Sequence, residues 1–81
     1  MNDRVLRVLI VDDHPVFRMG LAALLTAMDG MVVSGEASSL DEAVAAIEDV
    51  DVDVVIMDLH LGDDSGVAAT RELLARRPGI G

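Results

Sequence analysis

The sequence predicts an α/β domain built around a parallel β-sheet, and two observations support this fold class. Three short apolar runs, typical of strands buried on both faces, alternate with three stretches in which apolar residues recur at helical spacing. Because each strand is followed by a helix, the strands should be parallel and joined by right-handed crossovers. With 81 residues, the chain is long enough for one small domain.

The first unit is a strand followed by a helix. Leu6–Val11 contains the continuous apolar run of the first strand. Pro15 suits a first helical turn, where its missing N–H would have no partner anyway. We expect the helix to end at Gly30 and to bury one apolar stripe, which includes the sole aromatic residue. The stripe consists of Phe17, Leu21, Leu24, Leu25 and Met28.

The second unit begins with a short strand at Met31–Val33. Ser39–Glu42 has the form of a capping box, in which a serine and a glutamate satisfy free N–H groups at the start of a helix. The apolar stripe of this helix consists of Leu40, Ala43, Val44 and Ile47.

The third unit has a strand at Val52–Met57 and a loop at Leu59–Asp64. Ser65 is a candidate cap for a last helix running to about Arg77, where Pro78 and Gly79 stop it. We interpret Asp63 and Asp64 as solvated loop acids.

Composition narrows the class of protein. The chain is 52% hydrophobic and 26% charged, which indicates a folded domain. Six basic residues against fifteen acidic ones give a net charge of −9, which disfavours direct binding to nucleic acid. Because cysteine is absent, disulfides and thiolate metal sites are excluded. The apolar runs are too short to span a membrane and no signal-peptide pattern is present, so we expect a cytoplasmic protein.

Carboxylates follow two of the predicted strands. Asp12 and Asp13 end the first strand, and Asp58 ends the third. Ligands of open parallel sheets bind beyond the carboxyl ends of the strands. If these two strands are neighbours, the three acids repel one another, and a Mg²⁺ ion would remove that repulsion. Aspartates after strands also serve as caps and turn residues. An adjacent pair together with a third acid favours the metal site.

With these residues in view, the chain resembles the receiver domain of two-component response regulators, in particular the NarL/LuxR-type subfamily. The matching stretches are "VLIVDDHPVFRMGLAALL", "GEASSLDEAV" and "DVDVVIMDLHLGDDSGVAATRELLARRPGI". This resemblance implies a flavodoxin-like (CheY-like) doubly wound parallel sheet, here limited to three βα units with strand order 2-1-3.

The resemblance also implies roles for individual residues. Asp58 would be the phosphoacceptor. Asp13, supported by Asp12, would supply carboxylates to Mg²⁺ together with Asp58, and the backbone carbonyl of His60 would be a further metal ligand. The phosphodonor would be a sensor histidine kinase, and the receiver would act as a non-enzymatic signalling module in transcription regulation.

The sequence departs from the family pattern in two respects. Gly62 stands where the family has proline. Receivers have five strands, with a Thr or Ser after the fourth and a Lys after the fifth, whereas this sequence supplies three strands and no Lys. Thr26 and Thr70 lie inside predicted helices and do not replace the missing hydroxyl. We therefore expect residues 1–81 to form a partial receiver, lacking the last two βα units and the C-terminal helix-turn-helix domain that would bind DNA.

The departures leave competing functions open. The third strand becomes an apolar edge, which predicts self-association through Val54–Met57. One alternative is thus an interaction or dimerisation module that has lost phosphotransfer. A weaker one is a Mg²⁺-dependent phosphatase-type enzyme, for which the sequence offers no second acid or base.

Further residues receive structural interpretations. His14 precedes Pro15 at a helix start and is expected to be a surface or structural residue. Arginines of the last helix complement its dipole, and the methionines fit core positions. The arginines are Arg71, Arg76 and Arg77, and the methionines are Met19, Met28, Met31 and Met57.

Overall fold

A computed structural model of the protein describes residues 5–49, 51–58, 60–61 and 64–79. Its strands and helices alternate as the sequence predicts, with two additional short strands before the last helix. The elements are β1 (Leu6–Val11), α1 (Pro15–Thr26), β2 (Met31–Ala37), α2 (Leu40–Asp49), β3 (Val54–Met57), β4 (His60–Leu61), β5 (Asp64–Ser65) and α3 (Gly66–Arg76).

The main sheet has three parallel strands in the order β2-β1-β3. β1 is therefore the central strand, and β3 lies at one edge. Val8 pairs with Val54 at the start of β3 and Val11 pairs with Met57 at its end. The predicted fold class, with strand order 2-1-3, is confirmed. None of the described helices is long and apolar enough to cross a bilayer.

The core has two halves, one on each face of the sheet. Leu9 and Val11 of β1 face the half that contains Ile47 of α2 and Leu73 of α3. The intervening residues Val8 and Ile10 belong to the other half, with Leu25 of α1. Residues Val8 to Val11 are at most 1% exposed, because helices cover both faces of the central strand. The continuous apolar sequence of β1 is the consequence of this two-sided burial.

β2 is longer than predicted and continues beyond Val33 through residues 34–37, in which small, charged and apolar residues are mixed. Its register with β1 shifts between Val8 and Leu9, so that Leu9 lies opposite Gly35 and Ser34 is passed over. A Cβ atom on Gly35 would lie 3.3 Å from Cδ1 of Leu9. The small residue therefore accommodates a close approach of the core side chain at this irregularity. Because β2 is an edge strand with polar and apolar residues mixed, a search for apolar runs finds only its first three residues.

α1 begins at Pro15 as predicted, but its buried stripe is narrower than predicted. Gly30 has φ 84° in the turn after the helix, where a residue without Cβ is favoured. Among the residues of α1, only Leu25 is buried. Phe17, predicted to be core, is 60% exposed. That prediction is wrong because Phe17 lines an open cavity together with Leu21, Ile56 and Met57 and is not packed into the core. Three other predicted core residues are also exposed: Met19, Leu24 and Met28.

α2 carries a variant of the predicted capping box. The backbone N–H of Glu42 donates to Ser39 Oγ at 3.2 Å. The Glu42 carboxylate accepts hydrogen bonds from the backbone N–H and the hydroxyl of Ser38 at 3.0 and 2.9 Å. This carboxylate thus closes the box one residue earlier than the standard pattern, and these hydrogen bonds lower the pKa of Glu42.

β4 lies within the predicted loop at residues 59–64, and β5 is formed by Asp64, predicted to be a loop acid, and Ser65, the predicted cap. The two strands pair antiparallel, with His60 opposite Ser65. That element was missed because two-residue strands leave no periodic pattern. Gly62, Asp63 and Leu59 lie outside the described residues. α3 ends at Arg76, and Arg77 Nη1 donates to the carbonyl of Ile47 in α2 at 2.6 Å.

A charged fork ties β1 to β3 at the ends where these strands begin. The backbone N–H of Arg7 donates to Asp53 Oδ2 at 2.8 Å, and its Nε and Nη2 reach the two oxygens of the same carboxylate at 3.0 and 3.2 Å. Arg7 Nη1 also lies 3.2 Å from Asp51. Because a bidentate guanidinium contact fixes geometry, this fork helps to set the register of β3 against β1.

We expect the central strand to dominate stability. Leu9→Ala should lower the free energy of unfolding by about 2–5 kcal/mol, because it empties a fully buried site. Val16→Ala, at a residue 83% exposed, is the control and should change it by less than about 0.5 kcal/mol. Urea unfolding followed by circular dichroism measures both. Equal effects of the two variants would contradict the assigned core.

Candidate functional site

The carboxyl ends of β1 and β3 lie side by side at one edge of the sheet. Val11 pairs with Met57, so that Asp12 and Asp58 each lie one residue beyond the last pair. The backbone N–H of Asp58 donates to the carbonyl of Val11 at 3.0 Å, and that of Asp12 donates to Ala37 of β2 at 3.0 Å. These backbone hydrogen bonds thus fix the positions of Asp12 and Asp58 relative to each other.

These strand ends form an acidic cluster, which we define as Asp12, Asp13, His14 and Asp58. One ligand atom from each residue can be chosen so that all lie within 4.8 Å of one another. The Asp12 side chain is buried, with 8% exposed, whereas 30% of Asp13 and 22% of Asp58 is exposed. The structure therefore brings together the three carboxylates that the sequence singles out, at an edge that remains open to solvent.

His14 is the member of the cluster that sequence reasoning missed. Its Nδ1 lies 2.8 Å from Asp12 Oδ1, 3.1 Å from Asp13 Oδ1 and 3.6 Å from Asp58 Oδ2. The hydrogen bond with Asp12 raises the pKa of His14, and the negative charges of Asp13, Asp12 and Asp58 raise it further. The only sequence signal for this role was the position of His14 directly after the acidic pair.

The turn after β1 has a defined backbone geometry. The backbone N–H of His14 donates to Asp12 Oδ1 at 2.7 Å, closing a local turn of the kind that aspartate side chains favour. His14 is extended, with φ −103° and ψ 100°, as expected for the residue before a proline. The cluster is thus preorganised by local sequence as well as by the sheet.

Arg18 links this turn to β2. Its Nη1 donates to the backbone carbonyl of Asp12 at 2.6 Å, and its Nε donates to Glu36 Oε1 at 3.0 Å. The Arg18 side chain is 19% exposed, which limits the screening of these contacts by water. Sequence reasoning gave this arginine no role, because the two partners lie 6 and 18 residues away along the chain.

An apolar cavity of about 500 Å³ adjoins the cluster. It lies between α1 and the edge strand β3, and the exposed ring of Phe17 forms part of its wall. Asp12 and Asp58 lie at its polar end, and the apolar lining consists of Ile10, Val11, Phe17, Leu21, Ile56 and Met57.

The remaining candidate residues lie in β4, α3 and α1. His60 belongs to β4, and the role of its carbonyl as a metal ligand stays a prediction. Thr70 Oγ1 donates to the carbonyl of Gly66, and Thr26 Oγ1 donates to that of Ala22. Both hydroxyls are therefore hydrogen-bonded within their own helices, as their predicted positions imply.

A doubly wound α/β sheet whose adjacent strand ends carry three aspartates defines a class of ligand-binding domain with its site at the strand tips. The sequence model of the response regulator receiver domain matches residues 8–80. The chain belongs to this family.

Several curated proteins are similar to the chain. Response regulator GacA of Pseudomonas viridiflava is 40% identical over 76 residues, which are 94% of this chain and 36% of that protein. The DNA-binding transcriptional activator DevR/DosR of Mycobacterium tuberculosis is 41% identical, with 94% of this chain and 35% of that protein covered. The chain thus spans about a third of the length of the curated relatives it matches.

A solved structure of a two-component response regulator of the LuxR family from Aurantimonas sp. SI85-9A1 is 33% identical, with a TM-score of 0.87. The region of similarity covers 94% of this chain and 54% of the chain in that structure. The non-phosphorylated receiver domain of RcsB from Escherichia coli, 22% identical with a TM-score of 0.86 over 96% of this chain and 62% of that one, shows the same fold. The resemblance to NarL/LuxR-type receivers is confirmed.

We expect Arg18 to hold the turn that carries the acidic pair. Arg18→Met removes both hydrogen bonds while keeping the aliphatic stem, and should lower the free energy of unfolding by about 1.5–3 kcal/mol. Arg71→Met, at an exposed position of α3, is the matched control and should have little effect. Urea unfolding measures both variants, and an unchanged midpoint for Arg18→Met would show that the contacts contribute nothing.

Proposed function

We propose that the chain is a phosphoacceptor module of a two-component system, in which Asp58 receives a phosphoryl group from a sensor histidine kinase in the presence of Mg²⁺. The observation that carries the proposal is the convergence of Asp12, Asp13 and Asp58 at the carboxyl ends of β1 and β3. On this proposal the protein is itself modified and does not turn over a separate substrate.

The donor set fits Mg²⁺. The three carboxylates supply hard oxygen atoms, and the open edge leaves room for water and phosphate oxygens, which Mg²⁺ retains in protein sites. Asp12 and Asp13 would hold the ion with Asp58, and the carbonyl of His60 would be a further ligand. A bound Mg²⁺ supplies neutralisation of negative charge on the phosphoryl oxygens.

Asp58 is suited to act as the nucleophile. Its carboxylate is partly exposed while its backbone is fixed by the bond to Val11. In the proposed step an Asp58 oxygen forms a bond to phosphorus as the bond from phosphorus to the donor imidazole breaks. The departing histidine keeps the electron pair of that bond and takes a proton from water. Positioning of the two reactants is the main contribution that a protein makes to such a transfer.

We place DNA binding outside these residues. The net charge of −9 disfavours a nucleic-acid surface on this domain. The relative DevR/DosR is by its name a DNA-binding transcriptional activator, and this chain spans 35% of it. By analogy, regulation of transcription would require a DNA-binding domain C-terminal to a receiver.

Phosphorylation at Asp58 can be tested directly. Incubation of the chain with Mg²⁺ and acetyl phosphate should add one hydroxylamine-labile phosphoryl group, detected by intact mass. Asp58→Asn should abolish the adduct, because an amide cannot form the acyl phosphate. Asp29→Asn, at an exposed turn beyond α1, is the matched control and should be phosphorylated like the parent.

Two outcomes would count against this function. Absence of an adduct on the parent chain at saturating Mg²⁺ would favour the alternative of an interaction module without phosphotransfer. Steady release of inorganic phosphate that exceeds the protein many times over would favour a phosphatase-type enzyme.

A second proposal concerns self-association through the edge of the sheet. β3 pairs with β1 on one side, and the four residues Val54–Met57 are all apolar and half-buried. Exposed apolar edge strands are prone to pair with another chain. In the described part of the chain no further strand pairs with β3, and we therefore infer that a second copy can pair there.

Analytical ultracentrifugation tests whether the protein associates with itself through β3. The parent should form dimers as its concentration rises through the micromolar range. Val54→Lys should shift the protein towards monomer, because a lysine on an edge strand opposes pairing; Val54 lies outside both core clusters. Val67→Lys, on the exposed face of α3, is the control and should leave association unchanged. A parent that stays monomeric at high micromolar concentration would contradict this prediction.

A further inference from the structure

We propose that Arg18 is a positioning residue, which holds the peptide between Asp12 and Asp13 so that both carboxylates are directed towards Asp58. This inference rests on the proposed function, since it concerns how the acidic side chains of that site are oriented. The hydrogen bonds from the Arg18 side chain reach a backbone carbonyl and a residue of β2. Arg18 would therefore act through the backbone of the acidic pair and not as a ligand.

The backbone of Asp12 is held on both sides. Its N–H donates to the carbonyl of Ala37 at 3.0 Å, and its carbonyl accepts a hydrogen bond from Arg18 Nη1 at 2.6 Å. Because a peptide unit is planar, fixing the direction of this carbonyl also fixes the N–H of Asp13. The direction in which the Asp13 side chain leaves the backbone is restricted as a consequence.

The guanidinium group of Arg18 is itself held in place. Its Nε donates to Glu36 Oε1 at 3.0 Å, and Glu36 lies opposite Ile10 in the pairing of β2 with β1. The backbone N–H of Arg18 donates to the carbonyl of His14 at 2.9 Å, in the first turn of α1. A planar fork with partners on two elements has little freedom to turn. Arg18 is thus suited to fix a direction in the turn after β1.

Charge and positioning predict opposite effects when Arg18 is removed. The guanidinium is positively charged at all relevant pH values. If only this charge mattered, its loss would leave the surroundings of the carboxylates more negative, and Mg²⁺ would bind more tightly. If Arg18 orients the carboxylates, its loss would weaken binding, because Mg²⁺ demands near-ideal octahedral geometry. The sign of the change in affinity therefore distinguishes the two roles.

The first test is an NMR titration of the full 81-residue chain with Mg²⁺, which follows the backbone amide signals of Asp13 and Asp58. Arg18→Met should raise the dissociation constant about tenfold or more, as expected when a residue that orients metal ligands is lost. Ser39→Ala removes the cap of α2 and should also lower stability. It is the control for destabilisation and should leave the dissociation constant unchanged. The dispersion of the amide signals establishes that each variant is folded.

Variants of Glu36 give a second test that leaves Arg18 in place. Glu36→Ala removes the partner of Arg18 Nε and should weaken Mg²⁺ binding, because the guanidinium loses one of its two fixed contacts. Glu36→Gln keeps an oxygen acceptor without the charge and should bind Mg²⁺ nearly as tightly as the parent. An equal loss in both variants would assign the effect to charge and would count against positioning.

The outcomes separate this inference from the proposed function. Unchanged or tighter Mg²⁺ binding by Arg18→Met would overturn the role of Arg18 without affecting the proposed phosphorylation of Asp58. Failure of the parent to bind Mg²⁺ would overturn both. Weaker binding by Arg18→Met, with no phosphoryl adduct on the parent, would support positioning and overturn phosphoacceptance. If both hold, Arg18→Met should need about tenfold more Mg²⁺ for phosphorylation by acetyl phosphate and reach the rate of the parent at saturation.

Discussion

The structure depends on the parallel pairing of β1 with β3. Because Val11 lies beside Met57, the next residue on each strand is an aspartate, and the two carboxylates have to share one small volume. Burial of β1 on both faces stabilises this pairing, and the Arg7–Asp53 fork helps to set its register at the other end. Like charges brought together in this way are unfavourable unless a positive charge offsets them, and His14 Nδ1 already contacts all three carboxylates in this structure. The fold thus concentrates negative charge at the ends of β1 and β3, and this charge favours the binding of a cation there.

Much of this arrangement is encoded in local sequence patterns. The continuous apolar run of β1, Pro15 at the start of α1 and the serine cap of α2 each predict an element that the structure contains. The convergence of Asp12 and Asp58 also followed, because acids that end neighbouring parallel strands must meet at the same edge. These features depend on contacts close in sequence or on the alternation of strands and helices.

Other features depend on contacts that no local pattern records. Phe17 lies on the apolar stripe of α1 but is 60% exposed, because burial depends on what packs against the helix as well as on the stripe itself. His14 was interpreted as a surface residue, and its ring is indeed exposed, yet it meets three carboxylates. The partners of Arg18 and the irregular register beside Gly35 are set by tertiary packing in the same way.

The two ends of the β1–β3 pair carry opposite electrostatic character. At one end, a guanidinium joins Arg7 to Asp53, and at the other, Asp12, Asp13 and Asp58 crowd together. The β1–β3 pair is consequently held by an ion pair where the two strands begin, and its carboxyl ends carry carboxylates that repel one another. Fraying of the strand pair should therefore start from the acidic tip. A cation bound at the acidic ends would offset the repulsion between the carboxylates and so hold the last residues of β1 and β3 together.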